Sequence, residues 1–233
     1  EANRAQALLS GNQAAADAAA LHMAMEETFL NTGLGTDRDV IMTTLRNKTP
    51  EEIAAITEAY ESTYPGDSSL RELLQEELND WATLSTHDSD MAMAYMDSNT
   101  ALADAIAIDQ SMHGFSWGYA FNLAYGTDFE EGGRDEFTAV TDRIRQEVAA
   151  QASSNEWDER QFQAELSRRL AEVESAYNSE YSYRGSLRTA IEGRFDEGPN
   201  RGLLEATLDN DEIRADAARV AIERYESIVY ASD

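Results

Sequence analysis
The sequence predicts an all-α chain built from two successive five-helix repeats, and three observations lead there. First, 233 residues hold only three prolines, while alanine, glutamate, leucine and arginine, all good helix formers, are plentiful. Second, apolar residues recur at helical spacing, as in the stripe Leu70, Leu73, Leu74, Leu78 and Trp81. Third, parts of the chain repeat. Ala5-Gln6-Ala7-Leu8-Leu9-Ser10-Gly11-Asn12, Met91-Ala92-Met93-Ala94-Tyr95-Met96-Asp97-Ser98-Asn99 and Gly202-Leu203-Leu204-Glu205-Ala206-Thr207-Leu208-Asp209-Asn210 read alike. Each is a short apolar helix ending in Asn, which tolerates a left-handed helix end. Each is followed four or five residues on by Ala-Asp-Ala, at 16–18, 103–105 and 215–217. Asn12, Asn99 and Asn210 lie 87 and 111 residues apart. Two complete repeats fit, and the chain starts and ends near the same point of the cycle, as a piece cut from a longer array does.

Residues 1–98 form the first repeat, preceded at 1–12 by the last helix of an earlier one. Its first helix spans about 13–30, with Leu21, Ala24, Met25 and Phe29 on one side, and its second 37–47. The third, 50–64, opens on the capping box Thr49-Pro50-Glu51-Glu52, with proline at the first helical position. The fourth, 69–81, opens on a second capping box, Ser69-Leu70-Arg71-Glu72, and the fifth spans about 88–97. Residues 99–210 form the second repeat, with enlarged helices and insertions. It has a helix at 100–113, a glycine- and aromatic-rich stretch from His113 to Phe121, and the loop Ala124-Tyr125-Gly126-Thr127-Asp128. Phe129-Glu130-Glu131-Gly132-Gly133-Arg134 follows, then long helices at about 135–152 and 158–181. Ser186-Leu187-Arg188 aligns with Ser69-Leu70-Arg71, which sets Arg194 opposite Glu77. Residues 211–233 are the first helix of a further repeat or a C-terminal cap.

The stretch most suggestive of chemistry is Gly33-Leu34-Gly35-Thr36-Asp37. Two glycines let the backbone turn tightly, and Thr36 and Asp37 are both good N-caps. Such a loop turns carbonyls toward a cation or water. Far downstream, Glu77 falls in the stripe from Leu70 to Trp81, where a carboxylate needs a partner. Calcium, which takes six to eight oxygens from carbonyls and carboxylates, is one candidate partner.

The Gly-x-Gly-Thr loop, the acidic residue 42 positions after Gly35, and the helix after Lys48-Thr49-Pro50-Glu51-Glu52 together resemble the annexin repeat. The surplus over the annexin spacing falls in the turn Tyr64-Pro65-Gly66-Asp67-Ser68-Ser69, where insertions are absorbed cheaply. The resemblance implies an annexin-like array, with calcium held by the carbonyls of Asn31, Gly33 and Gly35 and the carboxylate of Glu77. It departs from the family in a longer segment between Met25 and Gly33. Arg38 also stands where many annexins have an acidic residue for a second cation, so that site is not carried over. Arg194 has no lone pair to give a metal. The second repeat is therefore expected to bind no calcium, with Arg194 itself donating to the carbonyls of the 124–128 loop.

Composition narrows the classes. A net charge of −27 argues against nucleic acid and against direct docking on anionic lipid unless cations bridge the two. Lys48 is the only lysine beside 17 arginines, a bias that fits an Arg-rich genome or a salty habitat. Without cysteine there are no disulfides or thiolate metal sites. No apolar run reaches a membrane span and no signal peptide is visible, which suits a soluble protein, secreted or peripheral to a membrane. His22, His87 and His113 lie far apart and outside any zinc motif. Methionines 23, 25, 91, 93 and 96, with Trp81 and Trp157, read as core, and Phe115, Trp117, Tyr119 and Phe121 as inter-repeat packing or an exposed aromatic contact. No catalytic motif is present. The resemblance thus implies a non-enzymatic, calcium-dependent module for acidic phospholipid. The alternative is a calcium-independent helical scaffold or protein-interaction module beside other domains of a large bacterial protein.

Overall fold
The structure, a computed structural model, describes residues 2–26, 37–66, 68–79, 87–113 and 129–230, and of 113, 129–132 and 225–230 the backbone alone. Among the described residues there are twelve α-helices, one short 3-10 helix and no strand. The helices are α1 (Ala2–Leu9), α2 (Gln13–Glu26), α3 (Arg38–Leu45), α4 (Pro50–Thr63), α5 (Leu70–Leu78) and α6 (His87–Met96). They continue with α7 (Thr100–His113), α8 (Phe129–Asn155), α9 (Glu159–Glu180), α10 (Leu187–Arg194), α11 (Pro199–Leu208) and α12 (Glu212–Tyr230), with the 3-10 turn at Ser182–Arg184. The chain divides into two compact units, Glu1–Ala103 and Asp104–Asp233, the boundary falling inside α7. In the first unit α2 packs on α1, α3 and α4, and α6 on α3 and α5. In the second, α8 packs on α9 and α11, and α11 on α9, α10 and α12.

The helices start where their side chains cap them. Asp37, Thr49, Ser69, Asp158 and Ser186 each accept a hydrogen bond from the N–H three residues on. At Thr49, Ser69 and Asp158 the bond is returned by Glu52, Glu72 and Gln161, which satisfies two otherwise orphaned donors at each start. The Ser69 backbone N–H, together with its hydroxyl, holds the Glu72 carboxyl below its usual range.

Three joints between helices share one construction. Gly11, Ser98 and Asn210 have φ of 71°, 55° and 52°. The next N–H in each case reaches back five residues: Asn12 to Ala7 (2.9 Å), Asn99 to Ala94 (2.8 Å) and Asp211 to Ala206 (2.9 Å). This is the Schellman helix end. The same Asn or Asp then caps the following helix, its side chain accepting from Ala15, Leu102 and Arg214 at 3.1 Å. The partner of Asn12 and Asn99 is therefore Asp211, and not Asn210 as the sequence pattern suggests. Asn210 occupies the left-handed place of Gly11 and Ser98. With that register, Ala-Asp-Ala begins four residues after the cap in all three copies.

The two units bury corresponding residues. Ile53 and Leu170, Ile56 and Val173, Tyr60 and Tyr177, Leu70 and Leu187, Leu74 and Ile191, and Leu78 and Phe195 are each 117 positions apart, and all twelve are buried. The helix α9 is 22 residues long where α4 has 14, so the extra length lies before Leu170. Arg71 pairs with Asp97 at 2.5 Å and Arg188 with Asp209 at 2.9 Å, matching bonds from corresponding helices. Exposed pairs of this kind add little stability.

The helix α8 begins at Phe129, six residues before the expected 135, and runs straight through Gly132 and Gly133. A Cβ on Gly133 would sit 3.0 Å from the Ser111 carbonyl oxygen of α7 and 3.5 Å from the Phe195 ring. The glycine costs helix propensity but lets α7 and α8 approach, with Phe137, Val140, Ile144 and Val148 buried along the helix.

Candidate functional site
The N–H of Asp37 donates to the carbonyl of Ala24 at 3.0 Å. The start of α3 is thereby tied to the last turn of α2. The sequence between these two ends is the segment 27–36. Asn31, Gly33 and Gly35, the expected carbonyl ligands, fall in that segment and so lie outside the described residues.

Glu77 is on the last turn of α5 and is exposed. The stripe expected around it is narrower than the sequence suggests. Leu70, Leu74 and Leu78 form a buried i, i+4 row, Leu73 is half-buried, and Trp81 lies outside the described residues. Glu77 flanks this row and faces outward. Its field nonetheless reaches the Tyr60 hydroxyl. Burial raises that hydroxyl's pKa above the usual tyrosine value, and the charges of Glu26, Tyr64 and Glu77 raise it further. Glu26, at the end of α2, and Glu77, at the end of α5, thus bear on one point.

His22 lies against the same tyrosine. Its ring stacks on Tyr64 with centroids 3.6 Å apart, its Nδ1 is 3.4 Å from the Tyr60 hydroxyl, and its Nε2 is 3.2 Å from Glu26. The chain's only lysine, Lys48, pairs with Asp17 at 2.6 Å nearer the start of α2.

The second unit holds the same positions with different chemistry. Counting 87 residues from His22 gives Asp109, and 117 from Tyr60 and Glu77 gives Tyr177 and Arg194. Asp109 is fully buried. It accepts from the Tyr177 hydroxyl at 3.2 Å, and Arg184 Nη1 lies 2.9 Å from both its oxygens. The Arg184 guanidinium also lies over the Tyr181 and Tyr183 rings, at 5.5 and 5.3 Å. Burial pushes the Tyr177 hydroxyl far up, and the Asp109 charge pushes it further. Arg194 is half-buried, with Nη2 3.6 Å from where a Gly133 Cβ would stand. It lies against the backbone of α8, and its expected partners at 124–128 lie outside the described residues.

Sequence reasoning treated the histidines one at a time and missed this correspondence. The 87-residue offset between Asn12 and Asn99, applied to His22, finds Asp109 directly. Chemically, the hydroxyls of Tyr60 and Tyr177 are both held neutral, and Tyr177 donates to Asp109. Among the described residues no group of three or more His, Asp or Glu side chains is placed to hold a metal ion. Any cation near Glu77 would depend on backbone carbonyls as well.

No family model matches the sequence, and no curated protein matches it.

Proposed function
We propose that this chain is a non-enzymatic module of annexin type, which attaches to acidic phospholipid through calcium held in its first repeat. One observation carries the reading. Glu26 and Glu77 act together on Tyr60, and the Asp37 N–H, at the start of α3, bonds to the carbonyl of Ala24, two residues before Glu26. An exposed carboxylate together with backbone carbonyls is the donor chemistry calcium takes. The ligands would be the carbonyls of Asn31, Gly33 and Gly35 and the carboxylate of Glu77. Such an ion keeps positions for lipid phosphate and offsets the repulsion between an acidic membrane and a chain of charge −27. Arg194, at the position of Glu77, is no metal ligand, so a single site is proposed. Among the described residues no helix is long and apolar enough to cross a membrane, in keeping with peripheral attachment.

A second reading, a calcium-independent helical scaffold or protein-interaction module within a larger bacterial protein, is favoured by the three joints of identical construction. These joints are what repetition for its own sake requires.

Liposome co-sedimentation on acidic lipid, with and without calcium, separates the two. Calcium-dependent pelleting of the wild type that is lost in Glu77→Gln and kept in Arg194→Gln supports the first reading. Absence of pelleting at every calcium concentration removes it and leaves the scaffold.

A further inference from the structure
We draw no further inference here: the strongest candidate, the start of α11, where Gly198 supplies no side-chain cap and Arg134 reaches Asn200 Oδ1 at 3.1 Å, is a helix N-terminus, and no second feature among the described residues points to an anion bound there.

Discussion
Removing the Arg184 guanidinium tests how the second unit tolerates a buried charge. Asp109 is fully buried, and Arg184 contacts both its oxygens at 2.9 Å. In Arg184→Met the aliphatic stem is largely kept and the positive charge is lost. Breaking one side of a buried ion pair costs about 3–5 kcal/mol, because the remaining charge stays desolvated. The Arg184 side chain is 32% exposed, so water shares the load, and the lower end, about 3 kcal/mol, is expected. At about 3 °C per kcal/mol this lowers the melting midpoint by roughly 10 °C. The Tyr177 hydroxyl still donates to Asp109 in this variant, but a neutral donor does not replace a cation. The triple variant Asp109→Leu, Tyr177→Phe, Arg184→Met removes all three polar groups at once and should return to within about 1 kcal/mol of wild type. Urea denaturation followed by circular dichroism measures both. A loss below about 1 kcal/mol in Arg184→Met, or a triple variant no more stable than the single one, would show that the pair is not what holds Asp109 in the core.

The remaining expectations can be checked on the same samples. Tyr60 and Tyr177 have hydroxyls raised above the unfolded tyrosine value of ~10. Their contribution is complete below that pH and is lost as pH climbs toward the folded values, because the unfolded chain releases protons that the folded one keeps. Thermal melts from neutral pH upward should therefore fall above pH ~10, and fall less steeply in Tyr177→Phe. Gly133→Ala should destabilise despite the better helix former, since its Cβ meets the Ser111 carbonyl oxygen at 3.0 Å. Gly193→Ala, with nothing within 4 Å of the added carbon, should stabilise by about 0.5–1 kcal/mol. Opposite signs in chemical denaturation are the test. For the calcium reading, Glu77→Gln should abolish calcium-dependent pelleting while leaving the melting curve unchanged, since Glu77 is exposed.

Much of this fold could be read from local chemistry. Thr49, Ser69 and their glutamates announced two helix starts, and both capping boxes are present. The periodic stripes gave the core row of Leu70, Leu74 and Leu78. The failures have physical reasons. Asn210 and Asp211 are both competent caps, so only the backbone φ decided between them. Gly132 and Gly133 look like a helix breaker unless one knows that α7 needs the space. Glu77 was placed inside a stripe because helical spacing defines a direction and not the width of the buried face. The cluster of His22, Tyr60 and Tyr64, and its counterpart of Asp109, Tyr177 and Arg184, joins residues up to 75 positions apart. No local motif reports such a meeting. As to the candidate site, Glu77 and the carbonyl positions could be named from the sequence, whereas its neighbourhood with Glu26 and Tyr60 emerged only from the packing.

The three helix joints have a consequence for how this chain can be cut and spliced. Each joint is three residues long, and its geometry is set by hydrogen bonds lying within about five residues on either side. Nothing distant is needed to form it. The eight-residue difference between α4 and α9 arises inside a helix, and the joints themselves are unchanged. Asn12, Asn99 and Asp211 are therefore natural seams. A boundary placed there carries its own start signal for the helix that follows, so segments bounded at these residues should be exchangeable in order or number without redesigning the connection.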